Sequence, residues 1–212
     1  MTHFVFCHGW GLDIHFWQRI APYFSQQKCS FIDLGYFDHP QDIPYSDDRM
    51  MVGIGHSMGL SKLAARGCHW QALIGLNGFI DFLGSNPMRY PQRQRELKML
   101  VNSFIQDPKA TLQRFYTRCG LSDLMAYQDF SNLNRDLILS DLRGLSQAVS
   151  CPTVPVLMLC SDDDIIVPSA ITRDYFSPQS WVTIDNINGA GHGLGYNKPA
   201  EVYDKIMGFL ND

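Results

Sequence analysis

The chain has 212 residues, of which 45% are hydrophobic and 18% are charged, and its formal net charge is −4 at pH 7. These values favour one folded domain over a disordered chain, and the acidic balance argues against a nucleic-acid-binding protein. No apolar run approaches the roughly 20 residues that a bilayer span needs, and no signal-peptide pattern precedes the first apolar run, so we expect a cytoplasmic monomer without membrane contact.

Six cysteines are scattered along the chain, mostly within apolar runs, and no two of them form a C-x-x-C pair. This pattern predicts buried free thiols rather than disulfides or metal ligands. Neither a metal nor a cofactor is expected.

Short β-rich runs alternate with helical stretches in the first 80 residues. In chain order the predicted elements are a strand at 4–7, a helix at 14–24, strands at 31–32 and 50–54, a helix at 60–68 and a strand at 72–76. Such alternation predicts a mostly parallel, doubly wound sheet with helices on both faces, which is an α/β fold.

The alternation stops at residues 81–143, where the sequence becomes polar, arginine-rich and helical, with three prolines as breakers. We expect this stretch to be an inserted helical cap. Strand patterns resume at 154–159 and 181–184, and helices are predicted after Pro168 and at 200–210. The predicted core therefore comprises residues 1–80 and 144–212.

Four loops with chemically active residues follow predicted strands, at 8–11, 55–59, 161–164 and 189–193. In a doubly wound sheet, ligands bind beyond the carboxyl ends of the strands, so these loops are expected to converge there. Together they contain a nucleophile, a base, an acid and backbone donors, the groups that acyl transfer requires.

Ser57 lies in the sequence Gly55-His56-Ser57-Met58-Gly59, directly after an apolar run. Flanking glycines tolerate a cramped strand-to-helix turn that presents the serine hydroxyl as a nucleophile. A flexible loop or a helix N-cap serine is the structural alternative. The chain order serine, aspartate, histidine favours the nucleophile.

His192 is the predicted general base, because among the seven histidines it lies in a glycine-flanked loop after the last strand. Asp164 is the preferred acid to orient it, since the apolar run 165–168 follows and can anchor this residue. Asp162 and Asp163 stay open as alternatives, and Asp81 is a more distant candidate.

The predicted oxyanion donors are the backbone N–H groups of Met58, next to the nucleophile, and of Trp10 in the first loop. Gly9 and Gly11 allow the backbone of that loop to approach a substrate closely. We interpret His8 as a residue that holds this loop in place.

At these residues the chain resembles the α/β-hydrolase superfamily and, within it, the pimeloyl-acyl-carrier-protein methyl ester esterases of biotin synthesis. The opening FVFCHGWGLDIHFW is similar to that family's HGWG loop, and residues 141–168 are similar to its return from the cap to the acid loop. The chain starts at what would be the family's third strand, so the resemblance implies that the N-terminal hairpin is lacking and that the cap is short. Leu60 stands where many relatives have a second glycine.

Residues 89–118 of the cap carry seven basic residues and two acidic ones, although the whole chain is acidic. A basic lid on an acidic body suits an acidic carrier protein, although a solvated helical face is the simpler alternative. The candidate carrier- or substrate-binding residues are Arg89, Arg93, Arg95, Lys98, Arg114 and Arg118, with Phe79 and Phe115 as candidate walls of an acyl channel.

The sequence and the resemblance together predict a serine carboxylesterase that hydrolyses the methyl ester of a pimeloyl chain on an acyl-carrier protein, without a cofactor. The alternatives are a hydrolase of small free esters or thioesters, a menaquinone-pathway lyase with a similar triad, and a non-catalytic binding module of the same fold.

Overall fold

The computed structural model describes residues 2–43 and 51–211. In these ranges a six-stranded sheet has the order β2-β1-β3-β4-β5-β6, and every neighbouring pair of strands is parallel. The strands are β1 His3–Cys7, β2 Lys28–Ile32, β3 Met51–His56, β4 Trp70–Leu76, β5 Val156–Cys160 and β6 Val182–Asn186. The predicted α/β class is confirmed, and Met50 of the predicted third strand lies outside the described residues.

Helices cover both faces of the sheet. They are α1 Met58–Ala64, α2 Tyr90–Gln106, α3 Pro108–Cys119, α4 Arg135–Gly144, α5 Ser169–Phe176, α6 Leu194–Asn197 and α7 Pro199–Asn211. Successive β1 side chains point to opposite faces, so Phe4 and Phe6 join the core beneath α7, whereas Val5 and Cys7 join the core beneath α1 and α5. The sheet is therefore buried on both sides, as parallel sheets require.

The single helix predicted at 14–24 is wrong. The structure has two short 3₁₀ helices there, Ile14–Trp17 and Ala21–Phe24. Pro22 has no N–H for an α-helical bond, and the Gln18 N–H bonds three residues back, to the His15 carbonyl. Trp17, Ile20 and Phe24 of the predicted apolar face are nevertheless buried, whereas Ile14 and Ala21 are half-buried.

Residues 81–143, called the cap below, contain α2, α3, two short 3₁₀ helices and most of α4. The cap shares one hydrophobic cluster with the sheet, in which Phe104 and Leu142 accompany Ile54 and Leu76. Two hydrogen bonds join it to the loop 8–11: Trp10 Nε1 donates to the Ile138 carbonyl (2.8 Å), and the Tyr116 hydroxyl donates to the Gly11 carbonyl (2.8 Å).

All six cysteines are free thiols, as predicted, but only three of them are buried: Cys7, Cys119 and Cys160. Cys29, Cys68 and Cys151 are half-buried. Burial raises the pKa of Cys7 to about 12, so this thiol stays protonated and unreactive at neutral pH. Within the two described ranges, no helix is long and apolar enough to cross a membrane.

Candidate active site

Ser57 occupies the turn between β3 and α1 with φ 54° and ψ −124°, a conformation that non-glycine residues rarely adopt. The turn is crowded on both sides. A Cβ on Gly55 would overlap the backbone of Leu60, and a Cβ on Gly59 would overlap the carbonyl oxygen of Cys7. The two glycines therefore allow α1 to start directly against β1 and β3, which presents Ser57 at the carboxyl edge of the sheet.

Ser57, His192 and Asp164 form one continuous hydrogen-bonded chain. His192 Nε2 lies 3.0 Å from Ser57 Oγ, and His192 Nδ1 lies 2.7 Å from Asp164 Oδ2. All three residues are buried. With the Nδ1 proton donated to the carboxylate, Nε2 is free to accept the hydroxyl proton, which is the geometry of an activated nucleophile.

The three consecutive aspartates have separate environments. Asp164 Oδ1 accepts hydrogen bonds from the backbone N–H groups of Ile166 (2.7 Å) and Val167 (2.9 Å), which leaves Oδ2 for His192. Asp162 accepts from the side chain of Asn186. Of the aspartates in this run, Asp164 is the one whose carboxylate reaches the imidazole.

Asp163 binds backbone N–H groups of residues 189–193, called the histidine loop below. It accepts hydrogen bonds from the N–H groups of Gly189 (3.2 Å) and Gly191 (3.1 Å) and from the Ser161 hydroxyl, and this hydroxyl bond is the main cause that lowers the pKa of Asp163. The more distant candidate Asp81 accepts from the N–H groups of Leu83 and Gly84 in its own turn.

The HGWG loop, residues 8–11, lies against the nucleophile turn. A Cβ on Gly9 would come within 2.9 Å of Ser57 Cβ, so this approach requires glycine. The N–H groups of Trp10 and Met58, the two predicted oxyanion donors, make no hydrogen bond to other groups in the described part of the chain. His8 Nδ1 donates to the Gly9 carbonyl (2.9 Å) while its Nε2 accepts from the Leu34 N–H (3.0 Å), which holds the loop.

Sequence reasoning missed Asn77, which directly follows β4 at the same sheet edge. Its backbone is left-handed, with φ 47°. Its Nδ2 donates to the carbonyls of Gly191 (2.7 Å) and His192 (3.2 Å), and its Oδ1 accepts from the Ser161 N–H (2.8 Å). Asn77 thus ties the histidine loop to the start of the acid loop, and its position after a strand was a signal that could have found it.

His56 was also missed, although it lies inside the glycine-flanked motif. Its Nε2 donates to the His192 carbonyl (2.9 Å), and its ring stacks on Phe16 with centroids 4.1 Å apart. Complete burial, reinforced by the neighbouring His192, holds the pKa of His56 well below its usual value. His56 is therefore neutral and positions the backbone of the histidine loop.

A cavity of about 450 Å³ opens between α2, α3 and the turn 165–166. Its walls combine apolar and charged side chains. The apolar ones include Phe82, Leu97, Leu100 and Phe115, and the charged ones are Arg93, Glu96, Arg114 and Arg118. The Phe115 ring lies 5.1 Å from the Trp10 ring and 6.3 Å from the His192 ring, so the cavity adjoins the site. Phe79 packs against Phe82 and is not among the cavity walls.

The predicted basic residues fall into two groups. Five are exposed on the cap: Arg89, Arg95, Lys98, Arg114 and Arg118. Arg89 is paired with Asp174 at 2.6 Å. Arg93 differs from the surface position expected for carrier binding, because only 9% of it is exposed and its guanidinium group donates to two backbone carbonyls inside the protein.

Among the residues that the structure describes, no group of three or more His, Cys, Asp or Glu side chains is placed to hold a metal ion. What the arrangement offers instead is a serine nucleophile, a base oriented by a carboxylate, and two unoccupied N–H groups nearby. These are the parts of a covalent acyl-transfer site.

Comparison with known proteins gives one curated relative and solved structures of the same fold. No protein-family model matches the chain. A curated relative is the biotin biosynthesis bifunctional protein BioHC of Teredinibacter turnerae, 28% identical over an alignment of 254 residues that covers 97% of the chain and 44% of the relative. The chain thus spans less than half the length of this relative.

Similar solved structures include an esterase from Exiguobacterium antarcticum, with a TM-score of 0.78 and 14% identity over 100% of the chain and 92% of the esterase. An epoxide hydrolase from Bacillus megaterium has a TM-score of 0.74 and 18% identity over 100% of the chain and 94% of the hydrolase. At these identities the likeness shows a shared fold.

Proposed function

We propose that this chain, which has the α/β-hydrolase fold, is a serine carboxylesterase. The observation that carries the proposal is the buried chain of hydrogen bonds from the Ser57 hydroxyl through His192 to Asp164. A serine with positive φ at a strand-to-helix turn, joined to such a chain, serves nucleophilic attack better than helix capping. Its side chain caps no N–H group of α1.

In the first half-reaction, Ser57 Oγ attacks the ester carbonyl while its proton moves to His192 Nε2 over the 3.0 Å that separates them. The resulting imidazolium is stabilised by Asp164, whose Oδ2 lies 2.7 Å from Nδ1. The Trp10 and Met58 N–H groups receive the oxyanion. Collapse of the tetrahedral intermediate breaks the C–O ester bond, and the alcohol leaves with the proton from Nε2.

In the second half-reaction, water takes the place of the alcohol. His192 accepts one proton from this water as the oxygen attacks the acyl-enzyme, and the proton then returns to Ser57 Oγ as the bond between serine and acyl group breaks. The products are one carboxylic acid and one alcohol, and the free serine is restored.

The substrate that we propose is the methyl ester of a pimeloyl chain on an acyl-carrier protein. Three features support it: the resemblance to the biotin-synthesis esterases, the BioHC relative, and the exposed basic residues beside a cavity with several apolar walls. The cavity suits an acyl chain, and complementary charge suits an acidic carrier. Of the predicted basic residues we assign carrier docking to the docking face, defined as Arg95, Lys98, Arg114 and Arg118.

The nucleophile is tested with Ser57→Ala on a short p-nitrophenyl ester and with a fluorophosphonate probe. We expect the variant to lose at least about 10³-fold in kcat and all labelling, while the wild type is labelled at one site. Retention of most esterase turnover by the variant would reject the proposed mechanism. Loss of labelling alone, with turnover kept, would also reject it.

The substrate is tested by growth rescue of a biotin-requiring strain that lacks its own methyl ester esterase. We expect rescue by the wild type and none by Ser57→Ala. Charge reversal of Arg95, Lys98 and Arg118 to glutamate should lower kcat/KM on the carrier-bound ester at least about tenfold and leave a small free ester unaffected. Lys28→Glu, at the opposite edge of the sheet, is the matched control. If the triple variant keeps the wild-type kcat/KM on the carrier-bound ester as well as on the small ester, the result would favour a hydrolase of small free esters.

A further inference from the structure

Arg93 projects from α2 into the protein rather than toward solvent. Its Nη1 donates to the carbonyl of Ile166 (3.1 Å), and its Nη2 donates to the carbonyl of Phe82 (3.2 Å). The guanidinium group also lies over the Phe82 ring, 4.3 Å from its centroid. Both ends of the planar group are therefore used inside the protein.

Ile166 is the residue that connects Arg93 to the proposed acid. The N–H of Ile166 donates to Asp164 Oδ1 at 2.7 Å, while its carbonyl accepts from Arg93. The same carboxylate accepts from Val167 and, through Oδ2, holds His192. Ile166, two residues after the proposed acid, thus donates its N–H to the Asp164 carboxylate and accepts a hydrogen bond at its carbonyl from Arg93 of helix α2.

We infer that Arg93 is a positioning residue for catalysis: it fixes the turn 164–167 from the cap, so that the Asp164 carboxylate stays aligned with His192. This inference rests on the proposed function, since it concerns the proposed acid. It removes Arg93 from carrier docking, because only 9% of this residue is exposed and both of its Nη atoms donate to carbonyls inside the protein.

The chemistry of the side chain fits this role. A guanidinium group is planar and carries donors in a fixed fork, so it holds two carbonyls from separate segments at a set distance. Glu96, 3.4 Å from Nη1 on the same helix, balances its charge. A lysine carries all its donors on one nitrogen, so it cannot reproduce the two separate positions that Nη1 and Nη2 occupy.

The test is a double-mutant cycle between Arg93→Gln and Asp164→Asn on a short p-nitrophenyl ester, which does not need carrier docking. In the wild-type background, Arg93→Gln should lower kcat about tenfold or more and change KM less than about twofold. In the Asp164→Asn background, the same substitution should change kcat less than about twofold, because the carboxylate through which it acts is gone. A general structural defect would lower kcat by the same factor in both backgrounds, and that result would overturn the inference.

The matched control is Arg143→Gln, an exposed arginine of α4, which should leave kcat and thermal stability unchanged. If Arg93→Gln does not yield folded protein, Arg93→Lys replaces it, with an expected fall of about threefold that again disappears in the Asp164→Asn background. Wild-type kcat in both Arg93 variants would overturn the inference.

Ser57→Ala, measured in the same assay, separates the two hypotheses. An active Ser57→Ala variant would reject the proposed function whatever Arg93 does. An inactive Ser57→Ala variant together with a fully active Arg93→Gln variant would reject only the positioning role.

Discussion

Replacement of Asn77 by alanine is expected to weaken both the fold and catalysis. Asn77 is 2% exposed, and its side-chain amide makes three hydrogen bonds. These bonds join the histidine loop to Ser161, at the start of the loop that contains Asp164. Alanine removes all of them. The His192 carbonyl keeps the hydrogen bond from His56, so two groups lose their partner, the Ser161 N–H and the Gly191 carbonyl.

The magnitude follows from the burial of those two groups. Ser161 is fully buried, so its unpaired N–H costs about 1–3 kcal/mol, whereas Gly191 is half-buried and water satisfies part of its need. Alanine also tolerates the left-handed backbone less well than asparagine, by about 1 kcal/mol. Together these losses predict a decrease of about 2–4 kcal/mol in the free energy of unfolding and of about 5–15 °C in Tm.

The assay is urea unfolding followed by tryptophan fluorescence, together with kcat on a short p-nitrophenyl ester. We expect kcat to fall at least about tenfold, because the histidine loop loses the side chain that ties it to the end of β4 and to Ser161. Asn102→Ala, at an exposed position on α2, is the matched control and should change stability by less than about 0.5 kcal/mol. A loss below about 1 kcal/mol with unchanged kcat for Asn77→Ala would refute the reasoning.

Three further predictions concern the candidate site. Asp164→Asn should lower kcat about 10⁴-fold in steady-state assays. Asp163→Asn, which affects hydrogen bonds to two backbone N–H groups and the Ser161 hydroxyl but none to His192, should lower kcat less than about tenfold; equal losses would contradict the assignment. Gly9→Ala places a Cβ 3.0 Å from His56 Nδ1 and should lower kcat about 10²- to 10³-fold. Gly144→Ala, with open space around its Cβ, should leave kcat unchanged. The low pKa of His56 means that the unfolded chain takes up a proton below about pH 6.5 that the folded protein does not, so stability falls as the pH drops, by up to about 1.4 kcal/mol per pH unit. In His56→Gln this slope should be smaller in denaturation experiments at pH 5–7, and an unchanged slope would refute the cause.

The sequence predicted the sheet and the convergence of its loops because both depend on local patterns. Apolar runs marked the strands, and the glycines around Ser57 and His192 marked turns at their carboxyl ends. The interpretation of residues 14–24 as one helix was wrong, since Pro22 outweighed an apolar spacing that looked helical.

Side-chain direction was harder to predict, because it depends on tertiary packing. Arg93 faces inward and Arg95 faces solvent, although both belong to the same run of basic residues on α2. They differ only in angular position around the helix, and the sequence does not give the orientation of that helix. Asn77 had no motif around it, and its three partners come from loops more than 80 residues away in the chain.

The two hydrogen bonds between the HGWG loop and the cap also bear on protein engineering. The Trp10 indole donates to the Ile138 carbonyl of α4, and the Gly11 carbonyl accepts from the Tyr116 hydroxyl of α3. The loop that carries a proposed oxyanion donor is therefore held in shape by these two helices. A chimera that exchanges the cap to alter substrate range must therefore bring its own carbonyl and hydroxyl anchors at those points. Without them, new specificity would come at the expense of turnover for every ester.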